Sequence, residues 1–99
     1  MLDKADAYKV IGQSYRELEQ YPLAESRLRS AIELAVQTGS VLSEAEASRE
    51  LGLLYAAIGC NQEALGLLGT ASQLFQRLGA RIDLAAVSTR INQLEESLA

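Results

Sequence analysis

Apolar residues recur along this chain at the three- and four-residue spacing of helices, and no stretch alternates at the period of two that a strand requires. Ala7, Ile11, Ser14, Tyr15 and Leu18 fall on one helical stripe, and Ala47, Leu51, Leu54, Tyr55 and Ile58 form its counterpart further on. Two other stretches carry Ala24, Leu28, Ala31, Ile32 and Leu34, then Ala64, Leu65, Leu68, Ala71 and Leu74. Each stripe covers one face of a helix and has to be buried against a neighbour. Tyr21-Pro22 and Gly59-Cys60-Asn61 mark turns, while Gly39 and Gly79 end the stretches that precede them. The pattern predicts five helices near 3–18, 22–38, 43–58, 61–78 and 83–98.

The boundaries carry their own chemistry. Asp3, Ser43 and Asp83 stand at one phase ahead of helix-forming sequence, so all three are expected as N-caps accepting from free N–H groups of the first turn. Ser43 and Glu46 have capping-box spacing. Pro22 suits the first helical position, where its missing donor costs nothing. Gly59 suits a left-handed C-terminal residue and Asn61 a cap for the next helix.

These features repeat at a lag of forty residues without a gap. Leu2 falls on Leu42, Ala5 on Ala45, Gly12 on Gly52, Tyr15 on Tyr55, Ala24 on Ala64, Leu28 on Leu68, Ala31 on Ala71 and Gly39 on Gly79. A partial third copy sets Ile82 on Leu42, Ala85 on Ala45 and Ile91 on Leu51. Gly and Ala in phase allow helix axes to approach closely, and the tyrosines fill the space beside them. One helical pair cannot bury its own stripe, so the units have to stack. Gly66 and Gly69 inside a helix each cost about 1 kcal/mol relative to Ala, which leads us to expect something packed closely against them.

Composition narrows the function. Lys and Arg number 9 against 13 Asp and Glu, for a net charge of −4, and the basic residues are scattered. A nucleic-acid partner, or an anionic membrane surface, calls for clustered cations, so neither is expected. No apolar run approaches the roughly 20 residues of a membrane span, and no signal-peptide pattern opens the chain. The single cysteine, Cys60, has no internal partner, which suits a reducing compartment and makes the cytoplasm the expected location. The chain contains no histidine, the commonest general base and metal ligand. No catalytic residue, metal or cofactor is therefore expected. The acidic pairs Asp3/Asp6, Glu17/Glu19, Glu44/Glu46 and Glu95/Glu96 read as capping and solubility.

The order Tyr8, Ile11-Gly12, Tyr15, Ala24, Leu28, Ala31, repeated as Leu51-Gly52, Tyr55, Ala64, Leu68 and Ala71, resembles the tetratricopeptide repeat. The resemblance covers essentially the whole chain. It departs in its period, forty against thirty-four, and in having Val36 and Gln76 where a helix-ending proline is usual. Longer-period repeats of this kind resemble those of large bacterial regulators, such as ATPase-linked transcriptional activators and cyclase-associated arrays, and the stretch from Leu78 to Ala85 is similar to them. The resemblance implies an all-α fold of helical hairpins stacked as a right-handed α-solenoid. Repeat 1 would span about 1–40, repeat 2 about 41–80, and a C-terminal capping helix about 81–99, in one domain. Asn92 and Glu95 replace the Gly and Tyr phases in that last helix, as a solvating cap needs.

In such arrays the first helix of each pair lines a concave groove that holds a protein or peptide segment. The groove face would carry Asp6, Lys9, Gln13, Arg16 and Glu17 from the first helix and Glu46, Arg49, Leu53, Ala56 and Ala57 from the third. The last helix would add Ala86, Thr89, Gln93, Glu96 and Ser97, with Arg90 as a further cation. Leu53, Ala56 and Ala57 make the middle of this face apolar, a pattern that suits a binding seam. The carboxylate clamp of chaperone-binding members is not expected: Lys9 is in place, but Gln13 and Glu50 stand where asparagines would be and Ala86 replaces a cation. The expected function is a protein- or peptide-binding scaffold within a larger bacterial regulatory protein. The alternatives are a ligand- or peptide-sensing segment of an activator or cyclase-type protein, or an oligomerisation module self-associating through an uncapped first helix.

Overall fold

The computed structural model describes residues 3–98, and over them the chain is all-α, with no strand. The helices are α1 (Lys4–Glu17), α2 (Tyr21–Thr38), α3 (Val41–Ala57), α4 (Asn61–Leu78) and α5 (Arg81–Leu98). The forty-residue lag survives in three dimensions: α2 and α4 begin and end forty residues apart, and so do the starts of α3 and α5. Leu2, the sequence partner of Leu42, lies outside the described residues.

Local chemistry sets these bounds, though not always through the expected residues. Asp3 caps α1, its Oδ1 accepting from the Asp6 N–H at 2.8 Å. Ser43 does not cap α3. Val41 and Leu42 are already helical, the cap is Ser40, and its Oγ accepts from the Ser43 N–H at 3.4 Å. A capping box from Ser43 to Glu46 is therefore absent. Asp83 likewise sits inside the first turn of α5 rather than ahead of it, and Asn61 is the first residue of α4, preceded by Cys60. Pro22 is the second residue of α2, where its N–H would also lack an intrahelical partner. At the C-terminal ends Gly39, Gly59 and Gly79 take positive φ. Glu19 stands at the phase of Gly59 and takes φ 59°, a left-handed conformation that costs a side chain about 1 kcal/mol.

Each helix packs on its neighbours in the chain, and α1 also touches α3. The smallest dimension of the molecule, 19 Å, fits two layers of helices, since packed axes lie about 8–10 Å apart. Helices α1, α3 and α5 share one side of this slab, joined by ion pairs described below. One core cluster joins Ala24 and Leu28 of α2 to Leu51, Leu54 and Tyr55 of α3 and Ala64 of α4. The second joins Ala45 of α3 to Leu68, Ala71, Leu74 and Phe75 of α4 and Val87 of α5. Burying a side chain the size of Leu or Phe contributes about 1.5–3 kcal/mol, so these clusters hold α2 through α5 together.

Helix α3 is buried nearly all round, whereas α1 has only Ala5 and Gly12 buried. The predicted stripe of α1 is accordingly only partly covered: Tyr15 packs against the first core cluster, but Ile11 is 42% exposed and Leu18 69% exposed, against 1% for Leu51. The difference has a simple cause. The stripe of α3 is covered by α2, and no described helix lies over the matching face of α1.

The in-phase glycines behave as their spacing suggests. A methyl group added at Gly12 would lie 2.6 Å from Leu28 Cγ, and one at Gly52 would lie 2.8 Å from Leu68 Cγ. Both leucines are fully buried, so the hairpins close to this distance only because the glycines lack Cβ. Nothing lies within 4 Å of a methyl placed at Gly66 or Gly69, so the close neighbour expected there is not found. Among the described residues, no helix is long and apolar enough to cross a membrane.

Candidate functional site: an arginine-rimmed hollow

Polar side chains stitch the α1, α3 and α5 side of the molecule together. Lys9 Nζ pairs with Glu46 Oε1 at 3.1 Å, and the Ser43 hydroxyl donates to Asp6 Oδ1 at 3.3 Å. Further along, Glu50 is 4% exposed and each of its carboxylate oxygens faces a different guanidinium. Arg16 Nη2 donates to Oε2 at 3.1 Å, and Arg49 Nε lies 3.4 Å from Oε1. Arg49 also reaches α5, donating from Nη1 to Asp83 Oδ1 at 3.1 Å, and its guanidinium lies 5.5 Å from the centroid of the Phe75 ring. A carboxylate is tolerated at this depth because two cations offset the loss of water. Arg49 is thereby fixed from three directions.

Between these helices lies a hollow of about 290 Å³ lined by Arg16, Arg49, Leu53, Leu68, Ala86, Val87 and Arg90. Leu53 of α3 and Ala86 of α5 supply its apolar surface over the buried Leu68 of α4 and Val87 of α5, and arginines from α1, α3 and α5 rim it. Arg90 is exposed, and among the described residues no carboxylate lies within 4 Å of it; the ion pairs of Arg16 and Arg49 are with Glu50 and Asp83. Arg16 Nε is buried without an acceptor among the described residues.

The expected groove residues divide into three groups. Arg16, Arg49, Leu53, Ala86 and Arg90 meet at the hollow. Asp6, Lys9 and Glu46 are spent on ties between α1 and α3, so Lys9 is not a free cation. Gln13, Glu17, Ala57, Thr89, Gln93, Glu96 and Ser97 do not line the hollow, and Thr89 Oγ1 donates to the Ala85 carbonyl. Ala56 packs against the first core cluster rather than facing an open seam. The contributions of Leu68 and Val87 were hidden because both read as core. Glu50 did leave a signal. It lies on one stripe with Ser43, Ala47 and Leu54, where an unpaired charge would be costly.

No family model, curated protein or solved structure matches this chain.

The hollow has thus to be read from its own chemistry. Among the described residues, no three His, Cys, Asp or Glu side chains are grouped to hold a metal ion. Away from the hollow, burial raises the Tyr55 phenol above its ordinary value of 10.0, with Arg29 opposing. What the arrangement offers is fixed guanidinium donors beside an aliphatic wall. Guanidinium groups bind carboxylates through charge-assisted hydrogen bonds.

Proposed function

We propose that this chain is a protein- or peptide-binding module of tetratricopeptide type, and that a partner segment lies over the hollow bounded by α1, α3 and α5. The observation that carries this reading is that Leu53 and the exposed Arg90 line one concavity to which four helices, α1, α3, α4 and α5, contribute. A small-molecule sensor role has less support. At about 290 Å³ the hollow matches only the smallest of such sites, which span roughly 300–1,000 Å³. A peptide needs only to seat one or two side chains in it.

The stretch from Leu78 to Ala85 and the forty-residue period favour a place within a larger bacterial regulatory protein. The lone Cys60 suits a cytoplasmic setting, and the acidic balance argues against nucleic acid as the partner. Binding is tested by selecting peptides from a random library on the wild-type chain and measuring their affinity by fluorescence anisotropy. Leu53→Glu is expected to abolish binding, because it places a charge on the aliphatic wall. Lys9→Glu is a poor probe, since it also breaks the tie to Glu46. Peptides that bind Leu53→Glu as well as wild type would remove the hollow from the account.

A further inference from the structure

The hollow carries more charge information than a generic groove needs. Three arginines reach it from three helices, and two carboxylates, Glu50 and Asp83, answer them. One positive charge is left over locally, in a chain whose net charge is −4. The surplus sits on Arg90, exposed at the rim. In the same hollow Ala86 and Leu53 present apolar surface, with the buried Val87 and Leu68 behind them.

We infer that the hollow recognises an internal acidic residue of the partner, Asp or Glu, with a Leu- or Ile-sized side chain beside it in the segment. The inference rests on the binding role proposed above and gives that role a chemistry. The carboxylate pairs with Arg90, whose planar donors suit bidentate contact. The neighbouring aliphatic side chain covers Leu53 and Ala86, excluding water from the carboxylate–Arg90 pair and strengthening it. A cationic segment is rejected by the same surplus, and a purely apolar one leaves Arg90 desolvated without a partner.

The test uses the full chain and short peptides with both ends blocked, so that no terminal carboxylate contributes. A peptide containing Glu-Leu is compared with its Gln-Leu, Glu-Ser and Lys-Leu counterparts, on wild type, Arg90→Gln and Leu53→Glu, with circular dichroism confirming that each variant stays helical. Glu-Leu is expected to bind wild type about tenfold tighter than Gln-Leu, the scale of a charge-assisted hydrogen bond, and Arg90→Gln is expected to erase that preference. Glu-Ser and Lys-Leu are expected to bind more weakly still. Equal binding of the Glu and Gln peptides, both lost in Leu53→Glu, would overturn the acidic specificity while leaving a binding hollow. Binding only by peptides with a free terminal carboxylate would also overturn it. Absence of any Leu53-dependent binding, across these peptides and the library selection, would overturn both readings.

Discussion

At Gly52 the phase of one small residue decides how closely two helices meet. The Leu68 side chain occupies the space where a Cβ would stand, and the Leu68 backbone nitrogen lies only 3.3 Å from that position. Gly52→Ala is therefore expected to destabilise the chain by about 1–2 kcal/mol in urea unfolding, the overpacking cost exceeding the gain in helix propensity. Gly66→Ala has the opposite sign, with a gain of about 0.5–1 kcal/mol, because the same methyl meets open space. The sequence alone could not separate these glycines by residue type, only by phase. Gly12 and Gly52 repeat at forty residues, whereas Gly66 and Gly69 fall on Ser26 and Arg29. Glu19 is the converse case, a side chain where its counterpart is Gly59. Glu19→Gly should raise stability by about 0.5–1 kcal/mol, read as a higher urea midpoint, by relieving the left-handed strain.

Helices were readable to within a few residues because propensity, apolar period and turn glycines agree over every segment. Their starts were less so: serine at 40 and serine at 43 are equally good caps in isolation. The helical pattern of Val41 and Leu42 extends past Ser43 and selects the earlier one. Ser43 and Asp83 then became available for contacts between helices. A further set of contacts depends on Glu50, the buried anion between Arg16 and Arg49. Glu50→Gln leaves Arg16 without a charged partner and Arg49 with Asp83 alone, and is expected to cost about 1–3 kcal/mol, measured as the shift in urea midpoint. Tyr55 joins α2 to α3 by accepting from Arg29, and its burial raises the phenol's pKa above 10.0. The folded state thus prefers the neutral phenol. Its contribution is intact below pH 10.0 and fades as pH rises through the folded-state value, since the unfolded chain ionises first. Tyr55→Phe should flatten that alkaline decline when urea midpoints are compared between about pH 8 and 11.

Across the molecule, stability is distributed unevenly. Helix α3 carries nine of the residues buried in helices, while α1 has only Ala5 and Gly12 and α5 only Val87. Amide hydrogen exchange is expected to be slowest in α3 and the facing turns of α4, and fastest in α1 and α5; uniform protection across all five helices would contradict the packing described. The repeat made this architecture legible, but it could not reveal which lysines and arginines were already engaged. Pairing between helices is set by side-chain reach across a packed interface, so Lys9 and Arg90 looked alike until their surroundings were known. The odd charge at the hollow has a kinetic consequence. An acidic segment approaching a chain of net charge −4 is repelled at long range and attracted only within contact distance. Added salt, with a Debye length of about 10 Å at 0.1 M, weakens the distant repulsion first. Moderate ionic strength would then quicken the arrival of such a segment and hasten its departure, the reverse of electrostatic steering on the way in.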